Sequence, residues 1–299
     1  MLGRVRIWDA EITVDEALVR RLIAEPTIES LSRLSEGWDR SVWLVNGEWV
    51  FAFPRRAAVV APMEREIEFL PKLASLLPLP VTLPTFVAKA SDTYPWPFFG
   101  SPFVPGRELC DVEPSLSRTQ IAIDAAGFLR RLHSADVAAA IDSAKLPVDP
   151  TGRADMARRV PLTRDYLARV GWDAPPHVVR LLDEAERLPQ LREPATVVHG
   201  DLHFRHLLVQ DGRLSGVIDW VDLCRADPCV DLQLVWSVLE TDDRSAFLDA
   251  YGPVSDEQLL RARVLALSLS AALAWYGREN GMANVEREAL AGLERAASR

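Results

Sequence analysis

The chain has 299 residues, 48% hydrophobic and 26% charged, ordinary globular values that exclude general disorder. Its 34 Lys and Arg against 43 Asp and Glu give a formal charge of −9, a poor match for a nucleic-acid backbone. The three cysteines, Cys110, Cys224 and Cys229, are odd in number and lack CxxC spacing, which argues against a disulfide framework or zinc ribbon and for a reducing compartment.

The first nine residues hold no apolar run, so no signal peptide is predicted and a cytoplasmic location is expected. The longest apolar stretch, near 264–275, is interrupted by Ser268 and Ser270 and is too short for a bilayer, so no membrane contact is expected. Nothing in the chain points to an obligate protein partner. Thr13 and Glu16 read as a capping box for a helix over 14–24. Strands over 41–45 and 48–53 flank Asn46-Gly47, a strong hairpin signal. A two-residue turn there sets Val45 opposite Glu48, Trp43 opposite Val50 and Ser41 opposite Ala52, with Val50 and Ala52 sharing one face.

Pro62 opens a predicted helix to about residue 75, with Glu64, Glu66 and Glu68 in its early turns. A proline-rich stretch follows, then strands near 85–89 and 98–104. Pro105-Gly106 breaks the chain, which sets two lobes, 1–105 and 106–299. In the second lobe Ser117 and Gln120 predict a capped helix to about His133. Further helices are predicted near 152–170, 176–188, 229–238, 244–251, 256–280 and 284–297. Strands over 196–198, 207–209 and 214–218 interrupt them, the last two forming a hairpin at Gln210-Asp211-Gly212. The fold class is therefore α+β: a β-rich first lobe and a mostly helical second lobe.

The chemistry-bearing segment is His199-Gly200-Asp201-Leu202-His203-Phe204-Arg205-His206, followed by Ile218-Asp219-Trp220. A loop and a hairpin can return Asp219 beside Asp201, and two such carboxylates suit different tasks: one takes a hydroxyl proton, the other holds a divalent cation on a polyphosphate. Three of the five histidines lie in this segment, so a metallohydrolase built from Asp201, His199, His203 and His206 is a rival reading.

These motifs, with Asp227-Pro228-Cys229-Val230-Asp231-Leu232 after them, resemble the aminoglycoside phosphotransferase family. Glu36-Gly37-Trp38-Asp39, Phe53-Pro54-Arg55-Arg56, Glu64-Arg65-Glu66-Ile67 and Pro105-Gly106 stand in the expected order. The resemblance covers roughly 27–235 and implies a two-lobed protein-kinase-like fold that moves the terminal phosphate of ATP or GTP, with Mg, to a hydroxyl of a small molecule. An aminoglycoside or macrolide antibiotic is the acceptor it implies first, a small metabolic alcohol second.

By the same resemblance Asp201 is the catalytic base, Asp219 and the residue at 206 bind metal, and Glu66 is the helix acid that pairs with a base. Residues 101–104 are the hinge that holds a purine, through Pro102 and Val104, with Val50 also on the nucleotide side. Asp227 and Asp231 brace the loop, as His199 does. Two departures stand out. His206 replaces an Asn, as in the macrolide phosphotransferase branch. Ala52 stands where the family has Arg or Lys, which leaves Glu66 without its usual partner, with Arg40 and Arg55 as candidate substitutes. A catalytically impaired pseudokinase is the reading Ala52 supports. Trp38, Trp43 and Trp49 read as packing residues, as Trp236 and Trp275 do, and Asp242, Asp243, Glu279 and Glu286 as solvated acids.

Overall fold

The structure, a computed structural model, describes residues 10–37, 39–113, 117–191 and 196–298, so Trp38 and the first nine residues lie outside the described residues. The chain divides into two compact units, residues 1–75 with 81–104 and residues 76–80 with 105–299.

In the first unit, helix α1 (Glu16–Leu22) is capped by Asp15, whose carboxylate accepts from Leu18 N (2.8 Å). The Thr13–Glu16 box does not form. Val14 is fully buried in the unit's core, and helix begins only after it. Strands β1 (Leu31–Glu36), β2 (Arg40–Val45), β3 (Trp49–Pro54), β4 (Phe86–Ala88) and β5 (Phe98–Pro102) make one sheet in the order β1-β2-β3-β5-β4. Helix α2 (Val60–Ala74) follows β3 and starts before Pro62, which sits in its first turn, where a missing N–H leaves no bond unmade.

The hairpin forms, but one residue out of the expected register. Asn46 and Gly47 take φ of +56° and +70°. Glu48 donates to Val45 O (3.1 Å), yet pairing resumes at Trp49: Val45 opposes Trp49, Trp43 opposes Phe51 and Ser41 opposes Phe53. The slip puts Trp43 on the side of Phe51 and Phe53, in a core with Tyr94 and Phe98. The expected pairing would have placed that indole on the Ala52 side, away from the aromatic core. On the opposite face Ala52, Met63, Phe99 and Ile67 pack together, which joins α2 to the sheet.

The second unit holds strands β6 (Arg107–Glu108), β7 (Thr196–Val198), β8 (Leu207–Gln210), β9 (Arg213–Val217) and β10 (Cys224–Ala226). Its helices are α3 (Thr119–Leu132), α4 (Ala135–Ala140), α5 (Met156–Val170), α6 (Pro176–Ala185), α7 (Cys229–Leu232), α8 (Leu234–Ser237), α9 (Thr241–Tyr251), α10 (Asp256–Glu279) and α11 (Ala283–Ala297). Helix α3 has Arg118 as its cap residue; Ser117 instead meets the Thr119 hydroxyl and Gln120 bonds Asp124. Helix α5 starts after Asp155 because the segment before it is tied to β10, where Asp149 N donates to Arg225 O (2.8 Å). The helix expected over 229–238 is two short turns meeting at Gln233, whose side-chain amide donates to Leu202 O. Helix α10 has the length and apolar composition to cross a membrane. In this fold it packs against α5, α6, α7, α8 and α11.

Candidate active site

The chemistry-bearing loop leaves β7 at Val198 and is anchored from beneath. His199 N and Gly200 N both donate to the Asp231 carboxylate (2.8 and 3.0 Å), and Asp231 also takes His133 Nε2 (3.1 Å). Burial raises the Asp231 carboxyl pKa, but the His133 hydrogen bond and charge outweigh it and the net shift is downward. His199 is fully buried; its Nε2 meets Ile218 O (3.0 Å) and its Nδ1 accepts from Asp201 N (3.3 Å). His199 and Asp231 thus brace the loop, and Asp227 caps the next turn by accepting from Cys229 N (2.8 Å).

Gly200 lets two loops touch. Its φ is +91°, and a Cβ there would lie 2.2 Å from Asp222 O. The pairing of Cys224 with Val198 explains the approach, since residues just after β7 and just before β10 meet at one end of that ladder. Asp222 and Asp201 are bridged by one nitrogen, Arg153 Nη2, at 2.9 Å from each. His203 sits on the other side of Asp201, with Nε2 3.6 Å from Oδ2. Its Nδ1 accepts from Arg205 N (3.2 Å), which leaves the proton on Nε2, aimed at the carboxylate. Burial alone would raise the Asp201 pKa, but Arg153 and then His203 hold it well below the usual carboxylate range. Burial and the neighbouring His206 push the His203 imidazole down to about 4, so it is neutral at pH 7.

The β8–β9 hairpin delivers the second acid. Leu207 opposes Val217 and Ile218 N donates to His206 O (3.0 Å), so Asp219 emerges beside His206. His206 Nδ1 donates to Asp201 O (2.8 Å), and its Nε2 faces Asp219 Oδ2 at 3.4 Å. Asp219 holds a left-handed φ of +63°, a conformation that costs a non-glycine residue and that clusters at functional sites. Asp201, His203 and His206 each offer a ligand atom within 4.8 Å of one another. Asp201 is already engaged by the Arg153 cation that it shares with Asp222, whereas Asp219 and His206 form a nitrogen–oxygen pair suited to a divalent ion.

The first unit carries the remaining expected residues. Glu66, 1% exposed, is paired with Arg40, which donates through Nη1 (3.0 Å) and Nη2. Of the two candidate substitutes, Arg40 and Arg55, it is Arg40 that pairs with Glu66. Arg40 shares the β2 face of Val42, the direct partner of Ala52, so the cation comes from the strand next to the one expected. Arg55 bonds Gly37 O (2.6 Å) and Glu36 instead. Val50 lies opposite Ser101, and the exposed Pro102 ends β5 opposite Trp49, with the half-buried Val104 two residues on.

Residues 30–263 match the phosphotransferase enzyme family. The chain belongs to that family. Among solved structures, it resembles the GDP and kanamycin complex of APH(2")-IIia with a TM-score of 0.67 at 21% identity, covering 94% of this chain and 97% of that one. It also resembles macrolide 2'-phosphotransferase MphH from Brachybacterium faecium, TM-score 0.57 and 24% identity over 88% and 92%. A macrolide 2'-phosphotransferase type I gives 0.59 and 21% over 97% and 99%. These likenesses show a shared fold. A curated relative, the uncharacterized protein YcbJ of Bacillus subtilis (strain 168), is 34% identical over 58 residues, so the match spans 19% of each chain.

Within this family fold Asp201, His206 and Asp219 come together in the second unit, while Glu66, Val50, Pro102 and Val104 belong to the first. The sequence reading missed Arg153 and Asp222. The signal lay in β10, a three-residue strand too short to read from pattern, which brings both to the loop. Asp243, expected to be solvated, is buried and takes the Thr119 hydroxyl (2.5 Å); Glu286 pairs with Arg278 (2.8 Å).

Proposed function

We propose that this chain moves the terminal phosphate of ATP or GTP to a hydroxyl of a small molecule held at Asp201. The observation that carries this reading is the hairpin that sets Asp219 Oδ2 3.4 Å from His206 Nε2 while His206 Nδ1 bonds the carbonyl of Asp201. One loop thus presents a fixed carboxylate for the acceptor and, next to it, two ligand atoms for a cation.

His206 and Asp219 are the residues that would hold magnesium, with the reservation that a hard cation prefers oxygen donors and takes more of them from phosphate and water. Bound there, the ion would neutralise charge on the polyphosphate. Asp201 accepts a hydrogen bond from the acceptor hydroxyl and points its oxygen at the phosphorus. The oxygen–phosphorus bond forms as the bond to the leaving nucleoside diphosphate breaks, and the hydroxyl proton passes to Asp201 and on to water. A carboxylate held this acidic is a weak base. The loose transition state of phosphoryl transfer asks for little deprotonation, so orientation is its main contribution. In the first unit the Arg40–Glu66 pair takes the part of the base–acid pair that Ala52 lacks, and the 101–104 segment offers backbone groups to a purine.

Aminoglycoside- or macrolide-like antibiotics are the acceptors that the structural neighbours support. A small alcohol without amines is the second reading, favoured by the Arg153 cation on Asp201. The test is phosphate incorporation from γ-labelled ATP and GTP, with magnesium, into panels of aminoglycosides, macrolides and simple alcohols. A wild-type protein that binds neither nucleotide and labels nothing would favour the pseudokinase reading and overturn this one.

A further inference from the structure

The least expected feature of the second unit is a cation of the chain's own, seated between two acids where an acceptor must approach. Arg153 Nη2 spends both its hydrogens, one on Asp201 Oδ1 and one on Asp222 Oδ2, each at 2.9 Å. The three side chains are 23%, 22% and 26% exposed, so this notch opens to solvent.

The arginine is mounted on a rigid base. Asp149 accepts from Arg153 N (2.8 Å) and Ala154 N (2.9 Å). The buried Arg261 donates to Ala154 O (2.9 Å), and Asp149 N is tied to Arg225 O on β10. The backbone of Asp222 runs close against Gly200, where a Cβ would lie 2.2 Å from the Asp222 carbonyl oxygen.

Two carboxylates close enough to share one nitrogen are a natural seat for an ammonium group. Here that seat is filled from within. We propose that Arg153 is a specificity-determining residue: its guanidinium occupies the anionic notch between Asp201 and Asp222, so the seat that an ammonium beside the reacting hydroxyl would take is already filled and acceptors with an amine there are disfavoured relative to neutral ones. The proposal rests on the reading of Asp201 as the acceptor-side group, and it narrows that reading to acceptors with no amine beside the reacting hydroxyl.

The experiment is a calorimetric titration with kanamycin as the polyamine probe and its fully N-acetylated form as the uncharged one, without nucleotide. The proteins are wild type, Arg153→Met, Arg153→Gln, Arg153→Lys and Arg164→Met, the last an arginine of α5 paired with Asp183 that controls for net charge. Opening the notch should tighten kanamycin roughly tenfold or more in Arg153→Met and in Arg153→Gln, the spare variant if the first does not fold. Arg153→Lys and Arg164→Met should stay near wild type, the acetylated probe should gain nothing, and adding Asp222→Asn to Arg153→Met should cancel most of the gain. A folded Arg153→Met that binds kanamycin no better than Arg164→Met overturns the proposal, as does an equal gain for the acetylated probe. No turnover enters the readout. Failure of the phosphotransferase reading would show separately, in the labelling assay.

Discussion

In the helical unit the buried acid Asp231 is held by two consecutive backbone amides and by His133, whereas in the sheet unit the buried acid Glu66 is held by the guanidinium of Arg40. Amides come with the chain and stay oriented whatever side chains stand nearby. A guanidinium is a single side chain reaching from another element, so one substitution removes it. The loop after β7 therefore keeps its two amide donors through side-chain changes, and its anchor rests on Asp231 and His133. On the sheet side the Arg40–Glu66 pair links β2 to α2 through side chains alone.

The largest effect should come from the reacting group. Asp201→Asn keeps the shape and, within this reading, removes the acceptor's hydrogen-bond partner, so transfer should fall on the order of 10²–10⁴-fold while nucleotide affinity changes little. Steady-state rates on the acceptor found by the labelling screen, set beside nucleotide calorimetry, check this. Near wild-type turnover would remove Asp201 from its role.

The second effect breaks the sheet unit. Arg40→Met leaves Glu66 buried without this cation, which should cost about 3–5 kcal/mol in denaturant unfolding. Arg40→Met with Glu66→Met should recover most of that loss, because no uncompensated charge remains. A single variant as stable as wild type would mean that the pair does not hold the two elements together.

The same contrast explains what was legible in the sequence. His199, Asp201, His206 and Asp219 stood out because the loop and the hairpin after it are local; the turn at Gln210-Asp211-Gly212 forms the hairpin, and a one-residue register shift between Leu208 and Val209 completes the placement of Asp219 beside His206. Arg153 and Asp222 were invisible because a three-residue strand and a turn segment place them, and neither leaves a periodic signal. The Arg40–Glu66 pair was half legible. Arg40 was a candidate, but choosing it over Arg55 needs the register of β2 on β3. That register is set by aromatic packing of Trp43, not by the turn residues.

A third and smaller effect sharpens the helical side. Asp219→Asn keeps a neutral oxygen beside His206 but loses the charge, so magnesium should bind roughly 10- to 100-fold more weakly, the scale of perturbing a metal site. Titrating magnesium in the presence of nucleotide reads it. An unchanged midpoint would exclude Asp219 from the metal.

The smallest effect probes how completely Arg40 replaces the base missing at position 52. Ala52 is 7% exposed and packs on Met63 and Phe99 beneath α2. An arginine there must push into that layer and set a second cation near the one already on Glu66. Overpacking of this kind costs about 1–3 kcal/mol, so Ala52→Arg should lower stability without tightening ATP or GTP. Moving the base, with Arg40→Val and Ala52→Lys together, should do better than Ala52→Arg alone, because the shorter side chain takes over Glu66 and one cation is removed as another is added. If calorimetry instead finds that Ala52→Arg binds nucleotide tenfold tighter, Arg40 serves only to join β2 to α2, and the nucleotide side of the sheet unit lacks the positive charge assigned to it here.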